Sequence, residues 1–346
     1  MTLTEAFHQQ AESCARLGSP FMNRLFHCLA SRWPNGSRLN AYFETFDGDI
    51  GPAGASLPLR LAGGLHALVL SQRAVELAQV YPPAHASEQS FENTVLHAID
   101  NHESFLLNWV QSPPQTNEVR RSAALIAGAA ELALRIDRPI WLSELGASGG
   151  LNMMWDRYAL ALPGTTIGPP DPVLTLQPDW TGPIPPAQNP TVAARAGADL
   201  NPLDPSQPDD LLRMLSYLWP DQPERLALTR TAAASVQASI VQEDAIDWLE
   251  MRLATAPRGH VHLIQHTVAW QYFPQNAQER GRALIEATGA AATENRPLAW
   301  LAMESDGDAD GSRGAAVTLR IWPGDIHIFL GRADFHGRWI KWSKGL

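Results

Sequence analysis

The residues with the clearest chemical potential lie in one stretch, Glu144 to Asn152, which reads E-L-G-A-S-G-G-L-N. Glycines at 146, 149 and 150 permit a tight turn and close ligand approach, and a helix opening after them would offer free N–H groups to an anion or a polar ligand edge. Glu144 stands just before the first glycine, where a carboxylate would repel a pyrophosphate, so a nucleoside or amino-acid-bearing cofactor is favoured over a dinucleotide. The same residues suit a second chemistry. Gly146-Ala147-Ser148-Gly149-Gly150 fits G-x-S-x-G, the turn presenting the nucleophile of α/β-hydrolases, with Asp244 and then His266 or His327 following in chain order. Against it, mostly helical residues precede the motif and no HGGG-type oxyanion segment is found.

His260, His262 and His266 fall in H-V-H-L-I-Q-H, where alternate strand positions share a face and imidazole suits zinc or iron. Hydrogen-bonded strand histidines are the commoner case, and no metal is expected. His266 ends its strand, where open α/β sheets place ligands, and is the candidate general base or substrate-orienting group. Asp306 to Gly311 begins like a calcium loop, but Val317 stands where glutamate is needed, so a solvated acidic turn is expected.

These side chains need a sheet to position them. From Pro139, short apolar runs alternate with helical patterns, the signal for βαβ units and a mostly parallel sheet. Strands are expected at PIWLSEL, TVAARAG, ASIVQED, HVHLIQHTV and PLAWLAME. Helices are expected at LNMMWDRYALAL, DDLLRMLSYLW with ERLALTRTAAAS, AIDWLEMRLAT and NAQERGRALIEATG. GAAVTLRIWPGDIHIFLG reads as an antiparallel hairpin about Pro-Gly-Asp, and GRWIKW as one more strand. Nine prolines between 163 and 190 exclude regular helix and central strand there and mark an insertion.

Before Pro139 the patterns are helical. Thr2 and Glu5 have capping-box spacing, Gly18 is a stop, and Ser19-Pro20 is a cap with proline at the first helical position. Helical spacing continues at LHALVLSQRAVELAQV, FENTVLHAIDNHESFLLNWV and NEVRRSAALIAGAAELALRI, the last capped by Thr116, with loop between residues 34 and 64. The expected organisation is an N-terminal helical region at 1–114 and a Rossmann-type domain at 115–346.

A net charge of -10 argues against nucleic acid as the main partner, and neither a signal peptide nor a long apolar run is present, so a cytoplasmic location off the membrane is expected. Cys14 and Cys28 lack metal or redox spacing and suit buried thiols. Trp155 and Trp270, beside strand ends, are the tryptophans placed to line a pocket.

E-L-G-A-S-G-G resembles the first motif of class I S-adenosylmethionine-dependent methyltransferases, E-x-G-x-G-x-G, with Ser148 at the middle glycine. The resemblance implies a methyltransferase-like Rossmann fold with S-adenosylmethionine across the strand ends. It assigns Glu144 to the amino-acid end, Gly146, Ser148, Gly150 and Asn152 to the turn, Asp199 to the ribose, and Asp244 with Ala245 to the adenine. Asp244 equally suits a helix cap. The implied activity is methylation, for which the acidic composition favours a small-molecule acceptor, with a non-catalytic ligand- or protein-binding scaffold and a Ser148 hydrolase as the alternatives. The set GSPFM, RLAGGLH, QTNEVRRSAAL, ELGASGGLN, DLNPLD and PLAWLAME is similar to a bacterial family, domain-of-unknown-function family 2332, grouped with Rossmann-type folds.

Overall fold

The computed structural model describes residues 1–52, 54–307 and 313–343; the acidic stretch read as a calcium loop lies largely outside the described residues. The chain divides into two compact units, Met1–Thr116 with Pro205–Arg230, and Asn117–Asp204 with Thr231–Leu346.

The first unit is helical. Helix Leu3–Arg16 starts with the full Thr2/Glu5 capping box, and Ser19 caps helix Pro20–Arg32 by accepting from the Met22 amide. Between them Gly18 takes φ +89°, a conformation glycine adopts without steric cost. Asp221, far along the chain, accepts from the Ser19 hydroxyl and the Phe21 amide, which ties residues 205–230 to this helix start.

The expected loop at 34–64 instead holds helix Arg38–Glu44 and the start of helix Leu57–Leu70. Ser37 caps the former locally, but Glu103 also accepts from the Arg38 and Leu39 amides, and that remote carboxylate has no local signature. The first two of the long periodic stretches each break in two, at Ser71–Ala74 and at His102. Their apolar faces meet in one core that includes Phe7, Phe26, Leu61, Phe91 and Ile99. Cys14 and Cys28 are buried free thiols, their pKa values pushed up to about 12 and about 11 by burial.

The second unit is a mixed α/β fold around a nine-stranded sheet. Its strands are β1 (Ile140–Leu145), β5 (Asp179–Thr181), β6 (Val192–Asp199), β7 (Ser239–Gln242), β8 (Val261–Thr267), β9 (Leu298–Glu304), β10 (Ala315–Trp322), β11 (Ile326–Ala333) and β12 (Trp339–Trp342). β2 (Ala159–Leu162), β3 (Thr165–Ile167) and β4 (Thr175–Leu176) form a separate small sheet. In the large sheet the order is β5-β12-β11-β10-β9-β8-β1-β6-β7. The segment from β7 to β9 is parallel, and β10, β11 and β12 follow as antiparallel neighbours. The five parallel strands are thus ordered 3-2-1-4-5 by chain position. Their direction of travel reverses at β1, which makes the C-terminal ends of β1 and β8 a topological switch point.

Two expectations change here. The helix read at LNMMWDRYALAL is a 3-10 segment, Leu151–Arg157, followed by β2. The carbonyls of Leu151, Asn152 and Met153 accept from Tyr158 Oη, Gln265 Nε2 and Arg195 Nη1, so side chains occupy the acceptors an α-helix would use. The proline-rich insertion is ordered into β3, β4 and β5, and β5 pairs with β12 to become an edge of the large sheet. An edge strand tolerates a composition that a central strand does not.

Candidate functional site

The switch point carries a buried polar network. Glu144 and Gln265 are lateral neighbours on β1 and β8, so both side chains leave the same face of the sheet. Helix Ser122–Arg135 covers this face, with Gly128 close against Leu301 of β9. Gln265 Oε1 accepts from Trp155 Nε1 at 2.9 Å and its Nε2 donates to the Asn152 carbonyl at 3.2 Å. Asn152 Oδ1 in turn accepts from Ser122 Oγ at 2.7 Å. Arg121, buried in the turn Val119–Arg121, donates to the carbonyls of Thr267 at the end of β8 and of Phe335. Glu144 is buried as well, and its Oε2 has no hydrogen-bond partner. Burial drives its carboxyl well above the usual carboxylate range, with Asp199 adding to the rise while Gln265 and Arg121 oppose it.

The Gly-rich turn is held shut by its own chain. Gly146, Ser148 and Gly150 all adopt positive φ, +69°, +52° and +76°. Ser148 therefore occupies, at a steric cost, a conformation that the glycine of the resembled motif would adopt freely. Its amide donates to Asp199 Oδ2 at 2.9 Å, and its carbonyl accepts from Leu203 N at 3.2 Å. The amides of Gly146 and Ala147 donate to the Ala198 carbonyl, that of Gly150 to Ala147, and that of Leu151 to Asn117 Oδ1. Five amides of the turn, those of Gly146, Ala147, Ser148, Gly150 and Leu151, are thus paired within the chain, and a short 3-10 segment rather than an α-helix follows them.

The sequence-predicted residues therefore separate into groups. Glu144, Asn152 and the turn from Gly146 to Gly150 come together. Asp199 closes the same turn by accepting from the Ser148 and Asn201 amides. Asp244 caps helix Ala245–Ala254 by accepting from the amides of Ile246 and Asp247, and Ala245 is its first helical residue. Asp244→Ala is accordingly expected to cost about 1 kcal/mol in a urea unfolding titration, the usual loss for a helix cap.

His266 lies elsewhere. As the strand neighbour of Gln265 it points to the opposite face of the sheet from Glu144. Its Nδ1 is 2.7 Å from Glu304 Oε1, its Nε2 accepts from Trp300 Nε1 at 2.8 Å, and its ring stacks on Trp270. Both ring nitrogens of His266, the residue read from its position as a general base or substrate-orienting group, are thus engaged within the chain. Glu304 also accepts from the Ala269 and Trp270 amides, and the assembly shapes the turn after β8.

His262 meets Ser143 Oγ at 2.8 Å, with burial pulling its pKa down to about 3, while His260 lies outside the buried set and its Nδ1 is 3.1 Å from the Arg258 carbonyl. Ser148 Oγ is buried without a hydrogen-bond partner, and His327 is exposed beside Asp325, so no described histidine bonds to the serine of the hydrolase reading. Among the described residues no group of three His, Cys, Asp or Glu could hold a metal ion, and no helix is long and apolar enough to cross a membrane.

Arg121, Gln265 and Asn117 are residues of this site that the sequence reading does not single out. A signal for Asn117 and Arg121 is present, since N-E-V-R-R-S places several polar groups at the start of an otherwise apolar alanine-rich helix. Residues 4–342 match the model of the family described as an uncharacterized protein conserved in bacteria, DUF2332. The chain belongs to this family. The match spans both units of this DUF2332 protein, so the helices and the sheet are parts of one family architecture. No curated protein matches the chain.

Proposed function

We propose that this DUF2332 protein is an S-adenosylmethionine-dependent methyltransferase acting on a small molecule, with the cofactor's amino-acid end at Glu144. The observation that carries this reading is the buried, partly unpartnered carboxyl of Glu144 at the switch point of a 3-2-1-4-5 sheet. A buried polar atom left unbonded calls for an explanation, and a ligand group that completes the network is the one adopted here. The fit is best at the amino-acid end, where an ammonium would give Glu144 the partner it lacks.

At the ribose and adenine ends Asp199 and Asp244 already accept backbone amides, so a ligand hydroxyl or amino group there would share a carboxylate that also holds the chain. The turn Gly146–Gly150 and Asn152 would line the cofactor between these ends. When bound, the cofactor supplies an activated methyl group. The chain's own task is to orient cofactor and acceptor and to exclude water, a contribution made by positioning rather than by a covalent step.

A non-catalytic scaffold is the second reading, favoured by the paired amides of the turn. Calorimetric titration of the full chain with S-adenosylmethionine and S-adenosylhomocysteine tests the cofactor site, and turnover of the bound cofactor with acceptors then separates the two readings. Methyltransferase function predicts saturable binding that weakens about tenfold or more in Glu144→Ala, on the order of 1.4 kcal/mol. Absence of binding, with no copurified nucleoside in the mass spectrum, would assign the fold to the scaffold role.

A further inference from the structure

We infer that ligand binding at this site is coupled to loss of a proton from the Glu144 carboxyl, so that the site selects a ligand carrying a positively charged amine. The inference rests on the cofactor reading above and adds to it the charge of the group recognised and its pH linkage.

Its basis is the surroundings of Glu144. The carboxyl is sealed from solvent, and Oε2 accepts no hydrogen bond. Gln265 beside it on β8 is neutral and also bonds to Trp155 and Asn152. The charged and titratable groups facing it from neighbouring elements are Arg121 before helix Ser122–Arg135, Asp199 at the end of β6, and Tyr158 before β2. Arg121 favours ionisation of Glu144 while donating to two carbonyls, Asp199 opposes it, and the phenol of Tyr158 is itself pushed upward by burial. Burial prevails over the cation, and the ligand-free carboxyl holds its proton well above the usual carboxylate range.

An ammonium arriving at Oε2 changes that balance. It keeps its own protons and donates one hydrogen bond; the Glu144 O–H bond breaks, its electron pair stays on the carboxylate, and the proton passes to buffer. A charge-assisted hydrogen bond then reaches Oε2, the carboxyl oxygen that has no partner in the free protein. A neutral ligand offers no compensating charge and leaves the proton in place.

The test is calorimetric titration of the full chain with S-adenosylhomocysteine in two buffers of different ionisation enthalpy, across a series of pH values. The expected result is release approaching one proton per ligand where free Glu144 is protonated, with affinity rising up to about tenfold per pH unit and levelling off above its pKa. Glu144→Gln removes the release, and 5′-methylthioadenosine, which lacks the amino-acid group, binds without it. Infrared difference spectra of the unaltered protein add a readout independent of the variant's folding: the protonated-carboxyl band disappears on saturation. Binding of S-adenosylhomocysteine with neither proton release nor loss of that band overturns the inference and leaves the cofactor reading standing. No binding overturns both.

Discussion

Replacement of Arg121 by methionine is expected to lower the unfolding free energy by about 2–4 kcal/mol, because it leaves two carbonyls without their donor at about 1–3 kcal/mol for each unsatisfied buried group. The guanidinium is buried, and its Nε and Nη1 donate at 2.8 and 3.1 Å to the carbonyls of Phe335 and Thr267. It therefore bonds the turn before helix Ser122–Arg135 both to the end of β8 and to the segment after β11. Methionine preserves much of the apolar stem but none of the donors, leaving carbonyls without partners and Glu144 without the cation that opposes its upward shift. Lysine is expected to rescue little, because one ammonium cannot span two diverging carbonyls as a planar guanidinium does. Urea unfolding followed by circular dichroism measures both variants. A loss below about 1 kcal/mol for methionine, within the range of a typical net hydrogen bond, would show that Arg121 is not what holds these segments.

Glu144→Gln is expected to have an effect whose size depends on pH. The folded-state pKa of Glu144 is raised above its unfolded value, so the folded protein binds the extra proton between the two. The stability contributed by the neutral carboxyl is fully present below the ordinary carboxylate range and is lost as pH rises through the raised pKa. Glutamine has similar shape and no charge to bury. Relative to the unaltered protein, the variant should become progressively more stable as pH rises from 5 to 8, by on the order of 1–3 kcal/mol at the upper end, comparable to the penalty for an unsatisfied buried group. Unfolding titrations at intervals across that range give the curve. A variant equally destabilised at every pH would mean that the carboxylate is well paired in the folded state. The same substitution should abolish ligand-linked proton release, so stability and binding report on one group by independent routes.

Much of the sheet is legible in the sequence because its strands are short, apolar and flanked by turn residues. PIWLSEL, HVHLIQHTV and PLAWLAME become β1, β8 and β9, and the Pro-Gly-Asp turn joins β10 to β11. The Thr2/Glu5 box and the Ser19-Pro20 start are equally local, since each cap and its partner lie within one helical turn. Helix Arg38–Glu44 is less visible, because the Glu103 carboxylate that receives its first amides lies 65 residues away in sequence from Arg38. The 3-10 segment after the Gly-rich turn departs from its helical pattern for the same kind of reason: Arg195 and Gln265, distant in the chain, take its carbonyls.

The candidate site divides along the same line. The sequence by itself determined that a Gly-rich turn follows an apolar strand and that Glu144 precedes it, because turn geometry and strand alternation depend on adjacent residues. Only the tertiary structure decided that Gln265 stands beside Glu144, that Arg121 and Asn117 join the network, and that His266 faces the other side of the sheet. Strand register carries that information: a shift of one residue moves a side chain to the opposite face, and register is set by pairing between segments far apart in the chain. Whether a buried carboxylate has a partner is likewise a property of the assembled network, and at Glu144 it leaves one oxygen without a hydrogen bond.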